Sequence, residues 1–171
     1  MTTSLAPGDP APAFSLPDAH GDTVALASFG PGKVIVYFYP AALTPGCTTE
    51  AVDFSAALDD FARAGYRVVG ISPDQPDKLQ RFTDKEHLRV TLLADPATTT
   101  IAAYGAYGER TVWGKAVTGV IRSTFVVDVD DKGQGTIAMA EYNVRATGHV
   151  AKLRRELGID DEAGTTPRSA A

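Results

Sequence analysis

Lys33-Val34-Ile35-Val36-Tyr37-Phe38-Tyr39 is an almost unbroken run of β-branched and aromatic residues. It is closed by Pro40 and followed by Thr44-Pro45-Gly46-Cys47-Thr48-Thr49-Glu50-Ala51. Apolar residues at successive positions predict a strand covered on both faces, and so a central strand of a layered sheet. From Pro45 onward, Ala51, Phe54, Leu58 and Phe61 recur at spacings of three and four. That pattern predicts a helix from 45 to about 64 with one buried face, with Gly65 beyond its end.

Outward from this unit the rhythm repeats. Tyr66-Arg67-Val68-Val69-Gly70-Ile71 reads as a second buried strand, closed by Ser72-Pro73-Asp74, and Leu79 and Phe82 mark a helix over 76–84. Strand, helix, strand, helix places the chain in the α/β class, with parallel members joined by right-handed crossovers. A short strand is expected at 91–94, a short helix at 97–104 and a long connection at 105–119. Ser123-Thr124-Phe125-Val126-Val127-Asp128-Val129 and Gly135-Thr136-Ile137-Ala138-Met139-Ala140-Glu141-Tyr142 flank Asp130-Asp131-Lys132-Gly133 as an antiparallel hairpin, before a last helix at 148–157. Ala13-Phe14-Ser15-Leu16 and Thr23-Val24-Ala25-Leu26, on either side of a cluster of turn formers, form a further hairpin near the N-terminus. The expected architecture is a central mixed β-sheet flanked by helices with an N-terminal β-hairpin. It forms a single domain over 1–158, followed by a small, polar, disordered tail at 159–171.

The chain has 171 residues, 44% hydrophobic and 22% charged, with a net charge of −5, which is the composition of a soluble globular domain. An acidic balance without Lys/Arg blocks argues against nucleic acid or an anionic membrane as partner. No apolar run reaches the ~18 residues of a spanning helix, and the N-terminus lacks a basic, then apolar, leader, so the cytoplasm is the expected location.

The chemistry centres on Cys47, the only cysteine. At the start of a helix it faces N–H groups without intrahelical acceptors and the positive end of the helix dipole, and both favour a thiolate over a thiol. An isolated cysteine is also the pattern of a small buried hydrophobe. Thr44, three residues earlier, is placed either to cap the helix or to reach the sulfur or a small molecule approaching it. Pro40 terminates the strand and would also shield the thiolate from water. Glu50, one turn after Cys47, suits the first turn of a helix, and beside the sulfur it makes functional sense only if it orients a cation between them. Arg122, at the edge of the Ser123 strand, is the candidate cation, although spacing alone does not bring it to Cys47.

The run Phe38-Tyr39-Pro40-Ala41-Ala42-Leu43-Thr44-Pro45-Gly46-Cys47-Thr48-Thr49-Glu50-Ala51 resembles the active-site segment of peroxiredoxins of the bacterioferritin comigratory protein, or peroxiredoxin Q, branch. Gly70-Ile71-Ser72-Pro73-Asp74, Leu93-Ala94-Asp95-Pro96, Tyr107-Gly108-Glu109 and Gly119-Val120-Ile121-Arg122-Ser123-Thr124-Phe125 look like that branch in the same order. The resemblance spans about residues 5–158 and implies a thioredoxin-like fold. It also implies a catalytic set of Pro40, Thr44, Cys47 and Arg122, supported by Glu50, and a thiol peroxidase that acts on hydrogen peroxide and organic hydroperoxides with no cofactor and no metal. The expected oligomeric state is a monomer or weak homodimer.

Many members of the branch carry a resolving cysteine five residues after the first, where this chain has Val52. A Cys47 sulfenic acid would then be resolved by an external thiol: thioredoxin, a glutaredoxin-like protein or a low-molecular-weight thiol. The missing second thiol keeps open a peroxide sensor or holdase that does not turn over efficiently, whereas a thiol-disulfide oxidoreductase would need a Cys-x-x-Cys pair. His20, His87 and His149 show no metal-ligand spacing or hydrolase pattern and are expected at the surface.

Overall fold

The computed structural model describes residues 4–159. In chain order the strands and helices are β1 (Pro10–Ala11), β2 (Ser15–Pro17), β3 (Thr23–Ala25), β4 (Gly32–Phe38), α1 (Pro45–Arg63), β5 (Tyr66–Ser72), α2 (Pro76–Glu86) and β6 (Thr91–Ala94). They continue with α3 (Thr99–Ala103), β7 (Tyr107–Val112), β8 (Lys115–Val120), β9 (Ser123–Val129), β10 (Gly135–Tyr142) and α4 (His149–Glu156). Six strands form one mixed sheet in the order β1-β10-β9-β4-β5-β6, and β2 with β3 makes the N-terminal hairpin.

β4 is central, as its composition predicts. It runs parallel to β5 on one side and antiparallel to β9 on the other, with Phe38 opposite Ile71 and Ser123. Its side chains alternate between two cores. Ile35 and Tyr37 join the layer under α1, α2 and α4, with Phe54, Phe61, Leu79, Phe82, Val150 and Leu153. Val34, Val36 and Phe38 join the opposite layer, with Ile71, Ile101, Tyr104, Phe125 and Val127. Each fully buried aromatic or aliphatic side chain here stabilises by roughly 1.5–3 kcal/mol. Burial on both faces is therefore why period-2 alternation is absent from the sequence of this strand.

Gly70 is opposite Tyr37, where a Cβ would lie 2.6 Å from Tyr37 Cζ. Its missing side chain lets that ring stack on Phe54 at 4.4 Å and on Tyr39 at 5.6 Å.

Two expectations differ from the structure. The stretch 105–119, expected as a long connection, is mostly the antiparallel β7–β8 hairpin, paired from Tyr107 opposite Val120 to Val112 opposite Lys115. Its two-residue turn, Trp113-Gly114, has positive φ at both positions (53° and 78°), as tight hairpins require. The hairpin stands off the main sheet, so β8 is exposed from Lys115 to Thr118 and carries no apolar face by which periodicity could reveal it. Ile159, expected to begin the tail, is 7% exposed and packs in the core under α1 and α4. The remainder of the expected tail, 160–171, lies outside the described residues. Among the described residues, no helix is long and apolar enough to cross a membrane.

Candidate active site

Where β4 ends, the chain turns at Pro40 and enters α1 through Thr44. Asp74, just beyond β5, pins this turn. Its Oδ2 accepts hydrogen bonds from the Ala42 N–H at 2.7 Å and the Ser72 hydroxyl at 2.8 Å, while Lys78 pairs with its other oxygen at 3.0 Å. As sequence, Ser72-Pro73-Asp74 closes a strand and belongs to the family resemblance, with no role assigned to Asp74 at the Pro40 turn. That role depends on β5 lying beside β4, which local sequence does not reveal.

Thr44 occupies the N-cap position with extended backbone, and Pro45 opens α1. The Thr44 hydroxyl makes no side-chain cap. It donates instead to the Ala41 carbonyl at 2.8 Å, which leaves its oxygen lone pairs free to accept. Cys47 is the third residue of α1 and is 2% exposed. N–H groups in this first turn have no intrahelical acceptor and point toward whatever lies before the helix.

Sheet register brings the arginine to this point. With β9 antiparallel to β4 and Ser123 opposite Phe38, Arg122 falls beside the C-terminal end of β4, beneath the start of α1. Its Nη2 donates to Cys47 Sγ at 3.3 Å and its Nη1 to Glu50 Oε1 at 2.7 Å. The guanidinium thus sits between sulfur and carboxylate, the one arrangement in which Glu50 beside Cys47 makes chemical sense. Burial opposes the Arg122 charge, but Glu50 and Cys47 outweigh it and hold the guanidinium above its ordinary pKa. Glu50 is fully buried, and that burial pushes its carboxyl up to about 7 against the pull of Arg122. Pro40 is half-buried at the edge of the same turn.

His149 is the residue the sequence reading misplaced. His20 and His87 are exposed as expected, but His149 is 3% exposed. Its Nε2 is hydrogen-bonded to Thr124 Oγ1 at 2.7 Å and lies 3.9 Å from Glu50 Oε2, an oxygen with no hydrogen-bond partner among the described residues. Burial lowers its pKa to about 4, with Lys152 and Arg122 adding to the effect, so the ring is neutral at pH 7. A polar residue at a helix start is ordinarily solvated. Here α4 folds back over α1, and Phe54 lies edge-on to the imidazole at 6.0 Å. Among the described residues no group of three or more His, Cys, Asp or Glu side chains is arranged to hold a metal ion.

The sequence profile of the AhpC/TSA family matches residues 7–134. The chain belongs to this family. It is 60% identical over 158 residues to a Mycobacterium tuberculosis protein provisionally named a peroxiredoxin, covering 92% of this chain and 98% of that one. It is 45% identical over 128 residues to peroxiredoxin Bcp of Escherichia coli K12, covering 75% and 82% of the two chains. Among solved structures, peroxiredoxin Q of Xanthomonas campestris superposes with a TM-score of 0.77 at 29% identity, covering 92% of this chain and 96% of the other. The fold is therefore thioredoxin-like, and the chain is a peroxiredoxin of the Bcp/peroxiredoxin Q branch: an oxidoreductase of the thiol peroxidase type, with a peroxide substrate and a thiol reductant.

Proposed function

We propose that this peroxiredoxin reduces hydrogen peroxide and organic hydroperoxides through a sulfenic acid on Cys47, which an external thiol then resolves. The observation that carries the reading is the single guanidinium of Arg122, in contact with both Cys47 Sγ and Glu50 Oε1. The thiolate attacks one peroxide oxygen in line with the O–O bond. That bond breaks, a sulfur–oxygen bond forms, and the departing oxygen takes a proton to leave as water or an alcohol. Sulfur is oxidised by two electrons and the peroxide reduced by two.

Each residue has a role in this scheme. Arg122 stabilises negative charge first on sulfur and then on the departing oxygen, and Glu50 holds Arg122 in place. Thr44, whose hydroxyl proton is committed to Ala41, accepts from the peroxide O–H. First-turn N–H groups donate to the other oxygen, and Pro40 keeps water off the sulfur. A single preorganised donor of this kind can be worth ~3 kcal/mol. With Val52 at the fifth position after Cys47, the second sulfur comes from outside the chain: thioredoxin, a glutaredoxin-like protein or a low-molecular-weight thiol. The cytoplasm, a monomer or weak homodimer, and a single domain that takes in Ile159 complete the proposal.

The test is stoichiometry. Reduced protein mixed with excess hydrogen peroxide and a reductant should consume many equivalents, and Cys47→Ser should consume none. Consumption of one equivalent with every class of reductant would overturn turnover and leave a peroxide sensor or holdase as the reading.

A further inference from the structure

Beside the proposed catalytic centre lies a second feature that this chemistry does not use. An open cleft of about 530 Å³ is lined by Arg110, Thr111, Ile121, Arg122, Asn143 and Val144. Two arginines line it and no carboxylate does. The charge of Arg122 is already matched by Glu50 and Cys47. Arg110 has no ion pair among the described residues, and its Nε is buried without a hydrogen-bond partner.

The other wall is fixed to the same place. The Val144 N–H donates to the Arg122 carbonyl at 2.9 Å, which holds Asn143, at φ 58°, at the rim with its side-chain amide making no hydrogen bond among the described residues. The cleft is tied to Cys47 through Arg122, which lines it and whose Nη2 donates to Cys47 Sγ at 3.3 Å. An unpaired guanidinium, an amide and a hydroxyl (Thr111) facing one cleft match the acceptor geometry of a carboxylate.

We infer that Arg110, with Asn143 and Thr111, seats the carboxylate of the small molecule that meets Cys47, through the cleft shared with Arg122. The inference rests on the thiol-peroxidase reading above. Two reactants of that reading can carry the group. One is a hydroperoxide with an acid function, consumed as Cys47–S⁻ + ROOH + H⁺ → Cys47–SOH + ROH. The other is an acidic thiol, reacting as Cys47–SOH + R′S⁻ + H⁺ → Cys47–S–S–R′ + H₂O, after which a second R′S⁻ releases R′S–S–R′ and restores the thiolate. Oxidation removes the sulfur's negative charge, so the second reactant meets a more positive cleft.

The experiment compares acid with neutral reactants in each half-reaction, in the wild type and in Arg110→Glu. The oxidation arm follows Cys47 sulfenic acid formation with linoleic acid hydroperoxide and with the hydroperoxide of its methyl ester. The reduction arm follows decay of the sulfenic acid with 3-mercaptopropionate and with 2-mercaptoethanol. The acid-to-neutral rate ratio is expected to fall at least about tenfold in the variant, the worth of a charged hydrogen bond. A fall in the first arm assigns the seat to the hydroperoxide, in the second to the thiol, and in both to either reactant.

Lys132→Glu, in the β9–β10 turn at the far end of β9 from Arg122, makes the same charge change elsewhere. Equal ratios in wild type and Arg110→Glu, or an equal fall in Lys132→Glu, would overturn the inference. Wild-type oxidation by hydrogen peroxide with recovery by 2-mercaptoethanol tests the underlying reading separately, because neither molecule carries an acid.

Discussion

Replacing His149 by Gln should change how stability depends on pH, in a direction set by two buried groups that oppose each other. Native His149 stays neutral down to about pH 4, whereas in the unfolded chain it takes up its proton near 6.5. Between those values the unfolded state binds more protons, so acidification destabilises the fold. Glu50 behaves oppositely. Its native carboxyl takes up a proton near 7 and its unfolded one near 4.5, so between those values acidification stabilises. At about 1.4 kcal/mol per pH unit each group is worth on the order of 3 kcal/mol, and the two windows overlap. In the wild type the two contributions largely cancel from about pH 6.5 to 4.5. Gln retains a hydrogen-bonding group for Thr124 but does not titrate, so it exposes the Glu50 contribution alone. Urea unfolding followed by circular dichroism at pH 7, 6, 5 and 4.5 would measure this. The stability difference, variant minus wild type, should rise by about 2–3 kcal/mol on acidification. Parallel curves would refute the assignment of His149 as a buried, neutral imidazole.

Glu50→Gln should give the mirror image, with stability falling as pH drops from 6.5 toward 4.5 because the histidine contribution is no longer offset; a flat difference from wild type would contradict it. Arg122→Lys keeps the charge but offers one nitrogen where the guanidinium uses two. Loss of a contact worth ~1.5–3 kcal/mol should slow Cys47 oxidation about 10- to 150-fold in stopped-flow with hydrogen peroxide, and an unchanged rate would show that the bridge to Glu50 is dispensable. Gly70→Ala puts a methyl into the Tyr37 ring and should lower stability by roughly 1–3 kcal/mol in urea titrations, so an unaffected midpoint would mean that the Tyr37–Phe54 stack yields without cost.

The regular elements were legible where burial imposes a period. β4 and β5 announced themselves by continuous apolar composition, and α1 by Ala51, Phe54 and Phe61 at helical spacing. The β7–β8 hairpin was not legible, because a strand pair exposed to water needs no apolar face and leaves only its turn as a signal. Cys47, Thr44 and Glu50 share one segment, and Arg122 could be joined to them only through resemblance; the structure supplies the physical link in the register of β9 on β4. His149 and Asp74 were missed for a common reason. Each acts across elements distant in sequence, and the packing of α4 on α1 and of β5 on β4 leaves no trace in the residues beside them.

Val52 is 39% exposed, five residues along α1 from the buried Cys47. Five residues of helix separate Cα atoms by ~8–9 Å on nearly opposite sides of the cylinder, beyond the ~7 Å that a disulfide spans. A bond between these positions would demand that α1 unwind, and Glu50, lying between them, would release Arg122 as it did so. With valine there, the proposed cycle uses α1 as a fixed mount rather than a moving part and does not require the helix to lose a turn. The pace of recycling then passes from the chain to its surroundings. Under the proposed cycle the sulfenic acid would persist for as long as the next thiol takes to arrive, and a scarce reductant would expose Cys47 to irreversible oxidation to the sulfinic acid.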